Sequence, residues 1–96
     1  MGVNETQIRA HLLIRGIVQG VFFRAYVRQA AIDSNLTGWV SNLFDGRVEA
    51  VFEGNKKDVE ITVAKCFKGP SASHVEGIDI KWEKYIGEFS CFSVRY

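Results

Sequence analysis

The stretch Gly16-Ile17-Val18-Gln19-Gly20-Val21-Phe22-Phe23-Arg24 holds the residue types that could do chemistry. It lies between an alternating pattern over 8–15 and a helical pattern that starts at about residue 22. Two glycines there let the backbone turn tightly and aim its N–H groups inward. A helix N-terminus adds partial positive charge at the same place. Arg24 would stand on the first turns of that helix. Its planar fork can meet two oxygens at once, which Lys cannot do. Residues 17–21 could supply a ring of N–H donors, with Gly20 allowing close approach and Gln19 either donating or shaping the loop. Such a cradle suits a compact anion with several oxygens, above all a phosphoryl group. From residue types alone, the same stretch also fits a plain connecting loop. The P-loop pattern with its Lys and Ser/Thr is absent, so nucleoside triphosphate chemistry is not indicated.

Asn42 is the second candidate. An amide can orient a water molecule without being charged. Before Leu43-Phe44-Asp45-Gly46 an asparagine also reads as a turn residue. Its weight comes from combination with Arg24. Neither Cys66 nor Cys91 has a second Cys or a His at zinc spacing, so no metal site is expected. Both read as free, partly buried thiols, and a disulfide stays open at this level. His11 falls on the polar side of its strand and reads as solvated.

The elements that must position these residues follow from periodicity. Ile8, Ala10, Leu12 and Ile14 alternate with Arg9, His11, Leu13 and Arg15, which predicts a half-buried strand over 8–15. Phe23, Val27, Ala30 and Ala31 recur at helical spacing, predicting a helix over about 22–35 that Asn35 can end in a left-handed conformation. Two strand-like runs, 37–43 and 47–54, flank Asp45-Gly46 and predict a hairpin. Asn55 can cap a second helix through about residue 68, with Val59, Val63, Cys66 and Phe67 as its apolar stripe. Gly69-Pro70 stops it. Alternation over 78–83 and 92–96 predicts two more strands. The order β-α-β-β-α-β plus a short C-terminal strand is an α+β, ferredoxin-like split β-α-β pattern. It implies an antiparallel sheet with two helices on one face.

Composition bounds the function. Ninety-six residues make one domain, 1–96, with 1–7 expected to be a flexible N-terminus. A chain of this size buries roughly 60–65% of its unfolded surface. That is enough for one core and not for a large cofactor pocket, so no cofactor is expected. The hydrophobic fraction is 47%, the charged fraction 24% and the net charge +1. No global field favours nucleic acid or an anionic membrane. No apolar run approaches the roughly 20 residues of a membrane span. The polar start, Met1 to Gln7, lacks the apolar segment of a signal peptide. A cytoplasmic monomer is the expectation.

The run from Gly16 through Val18-Gln19-Gly20-Val21 to Phe23-Arg24 resembles the first signature of the acylphosphatase family. Gly38-Trp39-Val40-Ser41-Asn42, continuing to Glu49 with Gly54 beyond, resembles the second. The tail Phe92-Ser93-Val94-Arg95-Tyr96 is similar to the family's aromatic-ended tail. The resemblance covers about 8–96. It implies hydrolysis of acyl phosphates, without a metal, to a carboxylate and inorganic phosphate. The substrate would be a small molecule. The phosphoryl group would be held by Gly16, Ile17, Val18, Gln19, Gly20, Val21 and Arg24, with Asn42 orienting water and Arg24 and Asn42 as the catalytic pair. Ser41 departs from the longer residue usual in the family, and its side chain should point away from the face that Asn42 uses. Leu43 and Phe22 stand at permissive positions that can tune specificity.

Two rivals remain in view. Ferredoxin-like sheets also bind RNA, and Trp39 and Trp82 are present, but the Lys/Arg-Gly-aromatic signature is missing. An accessory acylphosphatase-like domain, as found inside larger carbamoyl-transfer proteins, would share the same motifs. A chain without a linker favours a free-standing enzyme.

Overall fold

The computed structural model of the chain describes residues 6–96. β1 spans Gln7–Ile17, α1 Phe23–Asp33, β2 Thr37–Asn42, β3 Val48–Asn55, α2 Lys56–Lys68, β4 His74–Lys84 and β5 Phe92–Arg95. The strands form one sheet in the order β4-β1-β3-β2-β5. Alternation decides which face is buried. Ala10, Leu12 and Ile14 of β1 lie opposite Phe52, Ala50 and Val48 of β3. These residues share one core with Phe23, Val27 and Ala31 of α1 and Val59, Val63 and Cys66 of α2. The ferredoxin-like fold is therefore present, with both helices over the same face.

The caps agree with the sequence. The Asn55 side chain accepts from Lys57 N at 3.2 Å at the start of α2. Asp58 in the first turn and Lys65 and Lys68 in the last complement the helix dipole. Asn35 has φ 57° just after α1, and Gly69 has φ 65° after α2.

Several expectations need correction. The sheet is mixed, because β5 runs parallel to β2. β4 and β5 occupy opposite edges, so residues 85–91 must cross the end of the sheet, and β5 enters at the end where β2 begins. β4 starts at His74 rather than 78, since β1 continues through a bulge at Arg15/Gly16 to pair Ile17 with His74. Phe67 is half exposed, while Thr62 is fully buried. Positions 59, 62, 63 and 66 share a helix face and 67 lies about 100° around from 66. His11 is half-buried rather than simply solvated: its Nε2 lies 2.6 Å from Glu49 Oε2 across the central strands. Of the expected flexible 1–7, residues 1–5 lie outside the described residues. Gln7 opens β1, and Thr6 O accepts from Lys56 N at 2.9 Å. Among the described residues no helix is long and apolar enough to cross a membrane.

Glu53 sits on the face away from the helices, yet only 1% of it is exposed. Its Oε2 accepts from Ile86 N at 2.9 Å and its Oε1 from Gly87 N at 3.2 Å. Arg9 Nη1 lies 3.3 Å from Oε2, and Arg9 also pairs with Glu83 and Glu88. This buried carboxylate ties the 85–91 crossing to the sheet. Glu53→Ala is expected to cost about 3 kcal/mol, the low end for breaking a buried pair because Arg9 keeps two partners. Thermal denaturation should show a Tm lower by roughly 10–20 °C; a fall of only a degree or two would mean the crossing holds without it.

Both cysteines are free thiols. Cys66 is buried and Cys91 is exposed, which corrects the expectation of two partly buried groups. Burial pushes the Cys66 thiol up to about 12, so it packs as a small apolar residue. Titration with a disulfide reagent at neutral pH should find one fast thiol in the native chain and two in guanidinium; two fast native thiols would show that the α2 core opens readily.

Candidate active site

The site begins where β1 ends. Gly16 has φ 129°, and a Cβ there would stand 2.1 Å from His74 O. Only glycine fits this close approach of β4. Gly16 and Ile17 are thus strand residues, paired with Val75 and His74. The loop proper is 18–22. Val18 is buried against the core. Gly20 has φ 73° in open space. Phe22, the residue before α1, has φ 62°, a left-handed conformation that costs a bulky residue about 1–3 kcal/mol.

These turns leave backbone donors open. The N–H groups of residues 19–22 have no hydrogen-bond partner among the described residues. Phe22 offers no side-chain cap and the first turn of α1 carries no acidic residue. The helix therefore presents its own first N–H groups and positive dipole end uncompensated.

Gln19 holds the loop in place. Its Nε2 donates to Leu43 O at 2.7 Å and to Arg47 O at 2.9 Å. Those carbonyls belong to the β2–β3 turn, which Leu43 N closes by donating to Arg47 O at 2.8 Å. Asp45 shapes the same turn. The Arg47 N–H donates to Asp45 Oδ1 at 3.1 Å and the Arg47 guanidinium lies 2.8 Å from Oδ2. The backbone N–H first, then the guanidinium, hold the Asp45 carboxyl below the usual carboxylate range. The clamp brings Asn42, the last residue of β2, beside the loop.

A cavity of about 720 Å³ opens there. Val18, Gly20, Arg24 and Asn42 line it, together with Phe22, Phe23, Ala25, Arg28 and Gln29 from the helix start. Val94 of β5 and Tyr96 just after it also line the cavity. No carboxylate or imidazole side chain is in this lining. Arg24 Nη1 lies 3.5 Å from Arg95 O, at the outer limit of a hydrogen bond, and the Tyr96 ring centre is 4.8 Å from Arg24 Cζ. Most of the guanidinium N–H groups remain unused. Asn42 Oδ1 is buried without a hydrogen-bond partner among the described residues. Such an orphan costs about 1–3 kcal/mol until something donates to it. The arrangement offers donors to a tetrahedral anion and one acceptor to a small donor such as water.

Of the residues expected from sequence, the structure brings Val18, Gly20, Arg24 and Asn42 to one cavity. Gln19 and Val21 are absent from the lining, and their backbone N–H groups are unpaired among the described residues. Gly16 and Ile17 do not reach the cavity. Ser41 is absent from the lining, and its Oγ donates to Asn42 O at 3.3 Å. Arg28 and Gln29 went unnoticed in the sequence. Four-residue spacing from Arg24 was the available signal for Arg28.

The chain is similar to known proteins. The acylphosphatase family profile matches residues 10–94. An acylphosphatase of Roseiflexus sp. is 52% identical over 90% of this chain and 92% of its own length. The crystal structure of acylphosphatase from Bacillus subtilis superposes with a TM-score of 0.90 at 32% identity, covering 93% of this chain and 99% of that one. HypF of T. kodakarensis matches with a TM-score of 0.80 at 32% identity over 91% of this chain but 12% of its own. With the family profile spanning nearly the whole chain and a relative 52% identical over 90% of it, the chain belongs to the acylphosphatase family.

Proposed function

We propose that this chain hydrolyses acyl phosphates to a carboxylate and inorganic phosphate without a metal. One observation carries the reading: Gly20 and Phe22 with their unpaired backbone N–H groups, Arg24, and Asn42 with its orphaned Oδ1 line one cavity that has no carboxylate or imidazole side chain in its lining. The N–H groups of 19–22 and the Arg24 fork receive the phosphoryl oxygens. The Asn42 amide holds the attacking water through Oδ1. The new P–O bond forms to that water as the bond to the acyl oxygen breaks. The departing carboxylate is a weak base, so no strong general acid is required. Since an amide is a poor base, the water's proton passes to a phosphoryl oxygen. Phosphoryl transfer is chiefly positioning and charge stabilisation, which these groups supply. The near-complete overlap with small acylphosphatases supports this reading over an accessory domain.

Role separation gives the sharpest test. Arg24→Lys should lower kcat/KM by at least about 10²-fold, on the order of one lost oxyanion donor, and should weaken inhibition by phosphate. Asn42→Ala should lower kcat by a similar factor and leave phosphate inhibition nearly unchanged. Steady-state kinetics on benzoyl phosphate, with circular dichroism to confirm folding, checks both. A Lys variant within a few-fold of wild type would refute the bidentate role of Arg24.

Chelation and product inhibition test the rest. EDTA should leave benzoyl phosphate hydrolysis unaltered, and inorganic phosphate should inhibit competitively. Activity lost to EDTA and restored by Mg²⁺ would sink the metal-free mechanism, and purely noncompetitive inhibition would contradict a shared cradle.

A further inference from the structure

The cavity is larger than its proposed anion. A phosphoryl group fills a small part of about 720 Å³, so the remainder must hold the acyl portion. Its walls differ in character. Phe22, Val94 and Tyr96 contribute apolar surface to the cavity. On the α1 side stands Arg28, one turn beyond Arg24 and thus about 6 Å farther along the helix axis. Arg28 is exposed and has no hydrogen-bond or ion-pair partner among the described residues. Its nearest charged neighbour in the lining is another arginine, and like charges four residues apart on a helix disfavour one another. No acidic side chain in the cavity offsets the pair. A surface arginine held there only by solvation would be equally content outside the lining. An anionic group entering with the substrate relieves the repulsion.

We propose, resting on the acyl phosphate reading, that Arg28 sets specificity by binding a second anionic group on the acyl portion of the substrate. The favoured substrates are acyl phosphates in which that group lies about one helical turn, roughly 6 Å, from phosphorus. Arg24 takes the phosphoryl oxygens, Arg28 takes the distal anion, and the apolar surface packs the carbon frame between them. The guanidinium fork suits a carboxylate as well as it suits phosphate.

Two probes isolate the effect: benzoyl phosphate and 3-carboxybenzoyl phosphate, which differ only in the distal carboxylate. Wild-type kcat/KM should favour the carboxylated compound. In Arg28→Gln the ratio of the two kcat/KM values should fall about five- to tenfold, as for one charge-assisted contact at a half-open site. Because the ratio is measured on one preparation, a partly misfolded variant does not distort it. A ratio unchanged by Arg28→Gln overturns the role of Arg28, whether both substrates slow equally or neither does. A wild-type chain that hydrolyses neither probe overturns the acyl phosphate reading and this proposal with it. A wild-type chain that hydrolyses both without preference overturns this proposal alone.

Discussion

The Gln19 side chain is the joint on which the site depends. One amide nitrogen donates to two carbonyls of the β2–β3 turn, Leu43 O and Arg47 O. Each bond contributes only about 0.5–1.5 kcal/mol net. Its importance is geometric. The loop leaves its own N–H groups unpaired, so the backbone cannot fix its shape through a ladder. A side chain must do it from within. By reaching across to the turn, Gln19 fixes the loop and sets the end of β2 beside it. Arg24 and Asn42, distant in the chain, then face one cavity.

A second constraint works from the far end of the sheet. Glu53 and Arg9 fasten residues 85–91 as they cross from β4 to the opposite edge. The crossing delivers β5 beside β2, and with it the Arg95 carbonyl and the Tyr96 ring that flank Arg24. Buried ion pairs are weak evidence for net stability. Here the carboxylate also accepts from the backbone N–H groups of Ile86 and Gly87. Positioning of β5 is thus a matter of specificity of path, set far from the cavity it completes.

The site concentrates local costs. Phe22 holds a left-handed backbone, Asn42 Oδ1 lacks a donor, and two arginines share one helix wall. Each is unfavourable on its own. The core meets these costs elsewhere, through the apolar face shared by three alternating strands and two helices. Strain gathered at one cavity and absent from the core is the pattern expected of a preorganised site.

Local chemistry made much of this protein legible in the sequence. Alternation marked β1 and β3, Asp45-Gly46 marked the hairpin, and Asn55 and Gly69 marked the ends of α2, because each depends on neighbours within a few residues. The loop and Arg24 were legible for the same reason, since glycines and an arginine at fixed spacing carry their conformational and charge preferences with them. Asn42 reads equally well as a turn residue, and its weight comes from combination with Arg24. What the sequence could not determine were relations between distant elements. The parallel β2–β5 pairing depends on which edge the 85–91 crossing reaches. The burial of Glu53 depends on that crossing covering it, whereas alternation alone assigns it to the solvated face. Gly16 reads as a loop residue until β4 is seen lying against it. Arg28 reads as one more charge on a helix until Asn42 of β2 and Val94 of β5 are seen to share a cavity with it. Periodicity reports the direction a side chain takes from its own backbone, and only the packing of other elements decides what it meets there.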